Sequence, residues 1–209
     1  MENYVITIAR GYGSDGCAIA KRLAEQLGIH YLDRELLTLA SIESGISEEL
    51  FENADEKVNF GLLESKWDRK YDLEFDSVDP YQKTSEYNLF RYQAETIKNL
   101  ARKQSFVVIG RAADYILQQH RYVLSVNIQA PFEDCVKAIM DRKYVDMKTA
   151  IKDIRRIDKE RDTFYKTYTG REWSDILNYD LCINSVGFSE QGCVDLIRKA
   201  ACKKFHFEV

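Results

Sequence analysis

No stretch of this 209-residue sequence is apolar for long enough to cross a bilayer. The first residues, MENYVITIA, are too short and lack the Lys or Arg expected of a secretory leader. The five cysteines (Cys17, Cys135, Cys182, Cys193, Cys202) include no CxxC pair and are odd in number. A disulfide framework is therefore not indicated, and a reduced, cytoplasmic setting is expected. Positive charge is not in excess either: the net charge is −4, which disfavours a broad electrostatic hold on a nucleic acid polymer or a membrane. An anionic ligand would have to be held by locally placed basic groups. Internal repeats and low-complexity tracts are absent. What is present, 45% hydrophobic and 31% charged residues, describes one ordinary soluble domain, long enough to bury a core.

Strand and helix patterns alternate along the chain. Residues 4–9 form a short β-branched apolar run that ends at glycines and reads as a buried strand. Ser14 or Asp15 is placed to cap a helix in which Ile19, Leu23 and Leu27 recur at helical spacing, with Gly28 as the stop. Further strands are expected over 29–32, 106–109, 123–128 and 181–184. Helical patterns cover about 35–43, 47–58, 87–103, 112–119, 146–168 and 190–203, and Pro131 suits the first turn of one more. The segment 66–86 is rich in charge, contains a proline and has no clean period. It reads as an excursion or cover over the rest. Alternating strands and helices imply a parallel sheet of about five strands covered on both faces, a three-layer α/β/α class.

Residues 6–33, ITIARGYGSDGCAIAKRLAEQLGIHYLD, carry the first chemical motif. Gly11, Gly13 and Gly16 spell G-x-G-x-x-G after a strand, and Asp33 closes the next apolar run, which is the outline of a dinucleotide-binding turn. The same glycines fit a phosphate-cradling loop of the kinase type, from which the usual Lys and Ser/Thr are missing. In open α/β sheets, ligands bind beyond the carboxyl ends of the strands. Here the first strand runs into Arg10 and the glycine loop, the second ends in Asp33-Arg34, and the third, FVVI, ends in Gly110-Arg111. Each part alone has a plainer reading: a turn, an exposed arginine, an aspartate capping a helix. Their convergence on one rim points to a phosphate site, with loop N–H groups and a helix N-terminus facing the anion and arginine supplying fork-shaped donors.

A fourth part lies on the charged helix. Ile154, Ile157, Arg161, Tyr165 and Tyr168 fall near one face, so Arg161 interrupts a stripe that should be apolar, with Asp158 beside it. Either the two form an i,i+3 ion pair on a solvated helix, or Arg161 faces a bound phosphate and Asp158 orients it. A stray Y-x-x-x-K, Tyr144 to Lys148, also fits a nicotinamide-dependent reductase. Such an enzyme has no need of arginines at two other strand ends.

"VITIARGYGSDGCAIAKRLAEQLGIHYLDRELL", "FVVIGRAADYIL" and "IDKERDTFYKTYTGREWSDILNYDLCINS" together resemble the cytidylate kinase-like proteins of bacteria, relatives of cytidylate kinase. The resemblance runs from about residue 4 to about residue 200 and is weakest over 60–86. It implies a single P-loop NTPase-type domain over 1–209, with a helical acceptor-binding region at about 35–105 and a lid region at about 141–170. With LAEQLGIHYLD fixing the register, the P-loop Lys position falls on Gly16 and the Mg²⁺-binding Ser/Thr position on Ala18. Arg10 is the nearest candidate replacement for the missing cation, by proximity in sequence.

The resemblance further implies transfer of phosphate from ATP, with Mg²⁺, to a nucleoside monophosphate such as CMP. The backbone of Gly11, Tyr12, Gly13, Ser14, Asp15, Gly16, Cys17 and Ala18 would cradle the donor phosphates. Asp33 would sit near Mg²⁺, directly or through water, and Arg10 and Arg161 would share the catalytic charge. Arg34, Arg111, Asp114, Asp158 and Arg161 would surround the acceptor, with Arg111 matching the arginine that holds the monophosphate. Tyr165, Tyr168 and Gly170 belong to the family's signature. Small-molecule nucleotides are the expected partners, without nucleic acid polymer or membrane, and homo-oligomerisation stays open. Two alternatives keep the same fold: a non-catalytic nucleotide-binding regulatory protein, and a kinase for a non-nucleotide acceptor.

Overall fold

The protein is described by a computed structural model, covering residues 2–56, 84–206 and 208. Most of the charged 66–86 excursion, and the end of the helix expected over 47–58, lie outside the described residues. The elements run β1 (Val5–Arg10), α1 (Gly16–Leu27), β2 (His30–Leu32), α2 (Glu35–Ser44), α3 (Glu48–Ala54), α4 (Glu86–Lys103), β3 (Phe106–Ile109), α5 (Ala113–Ile116), β4 (Val123–Gln129), α6 (Phe132–Lys143), α7 (Met147–Thr169), β5 (Leu181–Asn184) and α8 (Glu190–Phe205). Two short 3₁₀ turns, Ile176–Asn178 and Ser185–Gly187, flank β5 and carry no periodic signal in the sequence.

All strand pairs are parallel, and the sheet order is β2-β3-β1-β4-β5. Alternate residues of β1 point to opposite faces, as strand geometry requires. Ile6 and Ile8 join Ile19 and Leu23 of α1 and Val194 and Ile197 of α8 on one side. Val5 joins Leu36 of α2, Phe90, Ala94 and Ile97 of α4, and Phe164, Tyr165 and Tyr168 of α7 on the other. Burying both faces accounts for the near-continuous apolar strands FVVI and VITIA. A smaller cluster ties α2, α3 and α4 together through Leu37, Phe51 and Leu89.

This arrangement fixes where a ligand can enter. The helix after β1 covers one face, whereas α5, after the neighbouring β3, covers the other. Adjacent strands whose following helices diverge leave a crevice at their carboxyl ends. Arg10, Gly110 and Arg111 stand at that crevice.

Candidate phosphate-binding site

The glycine loop is shaped by close approaches. Gly11 N–H donates to the Ile128 carbonyl at 3.0 Å, carrying the chain off the end of β1 and against β4. Gly13 has φ +94°, and a Cβ there would lie 2.9 Å from both Cβ and the carbonyl oxygen of Cys135. Neither the backbone nor the space admits a side chain at that position. The expected helix cap is not formed: neither Ser14 nor Asp15 makes a side-chain cap to α1. The buried Ser14 hydroxyl instead donates to the Gly11 and Ile128 carbonyls at 2.8 and 3.0 Å, and the Asp15 carboxylate turns outward to Arg142. The first intrahelical bond of α1 is Ile19 N–H to the Asp15 carbonyl. The amides of Gly16, Cys17 and Ala18 therefore precede the helical ladder and open at the helix N-terminus, where an anion is favoured.

Arg111 is the largest fully buried side chain among the described residues. Three successive left-handed residues deliver it, Gly110 (φ 67°), Arg111 (φ 57°) and Ala112 (φ 52°). Two of these carry side chains, a conformation that costs on the order of 1–3 kcal/mol each and persists where surrounding contacts over-determine it. The guanidinium donates to the Ile109 carbonyl at 2.9 Å, meets Asp33 at 3.2 Å and meets Asp55 at 2.9 Å. Asp33, read from the sequence as a possible helix cap, thus faces Arg111, and α2 has no side-chain cap.

Arg10 and Arg161 complete the cluster. Arg10 reaches the Glu56 carboxylate at 2.7 Å, and the Arg111 amide donates to the same oxygen at 3.2 Å. Arg161 donates to the Arg10 carbonyl at 3.0 Å and stands 3.5 Å from Glu56 and 3.5 Å from Asp158. Asp158 accepts from the Tyr12 amide at 2.8 Å, so α7 is tied directly to the glycine loop. The interrupted stripe is therefore a buried face: Ile154, Tyr165 and Tyr168 pack inward and Arg161 points to the crevice. Among the described residues, the Nε atoms of Arg10, Arg111 and Arg161 are buried without a hydrogen-bond acceptor. Arg161 Nε still stands 3.5 Å from Glu56, whereas Arg10 and Arg111, which line the same cavity, each keep a buried Nε donor without an acceptor, a setting that favours an oxygen-rich anion.

The carboxylates divide by environment. Burial alone would raise Glu56, but Arg10, with Arg161 and Arg111, outweighs it and holds the group at about 2. Asp55 is raised to about 6 because its burial outweighs the Arg111 charge. Asp114 is likewise raised to about 6 by burial, although its carboxylate accepts the Tyr165 hydroxyl at 2.6 Å. Burial and then the Asp114 charge push the Tyr165 phenol up in turn.

The structure brings together Arg10, Asp33, Arg111, Asp158, Arg161 and the loop from Gly11 to Ala18, with Asp114 lining the same cavity. Arg34 is exposed and stands apart, on a second pocket with Leu37, Glu52 and Asp55. Tyr144 is 94% exposed beyond the end of α6 while Lys148 lies in the first turn of α7, so that pair shares no helix face. Of the signature residues, Tyr165 holds Asp114, Tyr168 stacks on Phe90 at 4.1 Å between centroids, and Gly170 ends α7. Asp55 and Glu56, the carboxylates that fill the cluster, carry no motif. In the sequence they fall inside the helix expected over 47–58, and their one signal is that strand-end arginines need counter-charges.

Residues 5–186 match the family model described as the cytidylate kinase-like family. A cytidylate kinase of Methanococcus aeolicus is 23% identical over 202 residues, covering 96% of this chain and 98% of that protein. A solved structure of an uncharacterized protein from Eubacterium ventriosum is 25% identical, with a TM-score of 0.69 over 95% of this chain and 98% of that one.

Proposed function

From the premise that this chain belongs to the cytidylate kinase-like family, we propose that it transfers the terminal phosphoryl group of ATP to a nucleoside monophosphate such as CMP. The reading is carried by the convergence of the Arg10 and Arg161 guanidinium groups and the Arg111 backbone amide on the Glu56 carboxylate, beside the buried Arg111 side chain. Phosphoryl transfer needs positioning and charge neutralisation more than covalent help. The open amides of Gly16, Cys17 and Ala18 receive the donor phosphates. Arg111 and Arg161 hold the acceptor phosphate, and Arg10 faces the charge that develops between the two. Asp158 keeps α7, the lid of this scheme, against the loop through the Tyr12 amide.

Among the described residues no group of three or more His, Cys, Asp or Glu side chains is placed to hold a metal ion. Mg²⁺, however, is usually bound by one or two carboxylates together with substrate phosphates. Asp33 and Asp55 fit that demand: both carry hard carboxylate oxygens that accept from Arg111, and Asp55 Oδ1 is buried without a hydrogen-bond partner. When bound, Mg²⁺ supplies neutralisation of the phosphate oxygens. No helix among the described residues is long and apolar enough to cross a membrane.

The test is product separation after incubation with ATP·Mg²⁺ and a panel of ribo- and deoxyribonucleoside monophosphates. Turnover with a pyrimidine monophosphate is expected. Gly16 and Ala18, standing at the Lys and Ser/Thr positions, favour a second reading, a regulatory module that binds nucleotide without turnover. Nucleotide affinity with no product from any acceptor would select it.

A further inference from the structure

A glycine where the phosphate-loop lysine is expected reads as a loss. The space around it gives another account. Gly16 opens α1 with an ordinary negative φ, so its backbone conformation would accept any residue. What excludes a side chain is Arg10. A Cβ on Gly16 would lie 2.5 Å from Arg10 Cβ and 3.2 Å from Arg10 Cγ. The Cβ is set by the backbone and cannot swing clear, and the buried guanidinium on Glu56 holds the Cγ where it is. The Arg10 stem thus runs through the volume that a side chain at position 16 would enter.

The head of Arg10 is fixed as firmly as the stem. The residue is 6% exposed, its NH1 bonds Glu56 at 2.7 Å, and its carbonyl accepts from Arg161. Its Nε is buried with no acceptor among the described residues. Burial would lower its proton affinity, but Glu56 more than offsets this, so the cation is permanent.

We infer that Arg10 and Gly16 form an interlocked pair, in which the phosphate-facing cation has moved from the loop to the end of β1. Gly16 is the positioning residue that makes room for it. The inference rests on the phosphotransferase reading for its role in turnover, and on sterics alone for the interlock. One consequence separates it from simple degeneration of the loop: a cation at position 16 and an arginine at position 10 exclude each other, whereas exchanging the two positions restores the charge from the other side.

The experiment compares Gly16→Lys, Arg10→Gly and the double variant Arg10→Gly/Gly16→Lys. It reads thermal unfolding, affinity for inorganic tripolyphosphate and, where turnover exists, kcat against KM. Arg10→Gly is expected to lose tripolyphosphate affinity and about 10²–10³-fold in kcat, the usual loss for one preorganised donor. Gly16→Lys alone is expected to unfold at lower temperature and to bind tripolyphosphate more weakly despite its added charge. The double variant is expected to regain most of the lost affinity. Because Arg10→Gly leaves Glu56 short of a partner, the series is repeated in a Glu56→Gln background if that variant fails to fold. Full affinity in Gly16→Lys, no loss in Arg10→Gly, or no recovery in a folded double variant overturns the interlock. A wild type that binds tripolyphosphate but turns over no nucleotide sinks the phosphotransferase reading instead, and the affinity series still decides the pair.

Discussion

In the proposed phosphate site Glu56 is the group that an incoming phosphate displaces, so Glu56→Gln should trade stability for affinity. Its carboxylate meets Arg10 at 2.7 Å, the Arg111 amide at 3.2 Å and Arg161 at 3.5 Å, and its pKa is held at about 2 against an ordinary 4.5. With about 1.4 kcal/mol for each tenfold change in proton affinity, the charged carboxylate contributes about 3 kcal/mol to the fold. A depressed acid gives that stability in full above pH 4.5 and loses it as pH falls toward 2. At pH 7, Glu56→Gln should therefore cost about 3 kcal/mol in chemical denaturation without ligand. The same substitution removes the competitor, so inorganic phosphate or CMP should bind up to ~100-fold more tightly, the same energy read as an equilibrium. Saturating phosphate should then return much of the lost stability by mass action. Calorimetric titration and denaturant unfolding on both proteins measure the two halves. Unchanged stability with unchanged or weaker phosphate affinity would refute the claim that this carboxylate fills an anion site.

Arg111→Ala strands Asp33 and Asp55 in partly buried positions and should cost about 3–5 kcal/mol, as for other broken buried pairs. Adding Asp55→Asn should recover part of that loss, and denaturant midpoints of the two variants check it. Gly13→Ala meets a left-handed φ and Cys135 together and should lose at least about 1–3 kcal/mol, measured by thermal unfolding. Tyr165→Phe removes the donor on Asp114 and should cost about 1–3 kcal/mol for the partner left unsatisfied. Asp114 itself is raised from 3.8 to about 6, so the fold holds its proton more tightly than the unfolded chain does. Its contribution is therefore largest at low pH and falls away as pH rises from 3.8 to about 6. Asp114→Asn should flatten the stability profile over that window, and an unchanged slope would remove Asp114 as its source.

The strands and long helices were legible because their signals are local. FVVI and LCIN became β3 and β5 with the bounds their apolar runs suggested, and the apolar spacing of 154, 165 and 168 marked the buried face of α7. The short helix expected over 112–119 closed to Ala113–Ile116: the left-handed Arg111 and Ala112 move its start by one residue, and Leu117 leaves the helical region, so 117–119 continue as a turn. No propensity signals such a pair, since tertiary contacts to Asp33, Asp55 and Glu56 hold it there. The rim arginines could be read from strand ends. Their counter-charges could not, because Asp55 and Glu56 reach the crevice only through the path of α2 and α3. Ser14 looked like a helix cap for the same reason: its hydroxyl serves two carbonyls that meet only after β4 lies beside β1.

The most direct test of the central claim is phosphoryl transfer from ATP·Mg²⁺ to CMP by the wild type and by Asp33→Asn, prepared identically and read by product separation. The account predicts CDP from the wild type and its loss in Asp33→Asn, which also excludes a contaminating kinase. Product formed equally by both proteins, or none by a wild type that binds both nucleotides, would contradict it.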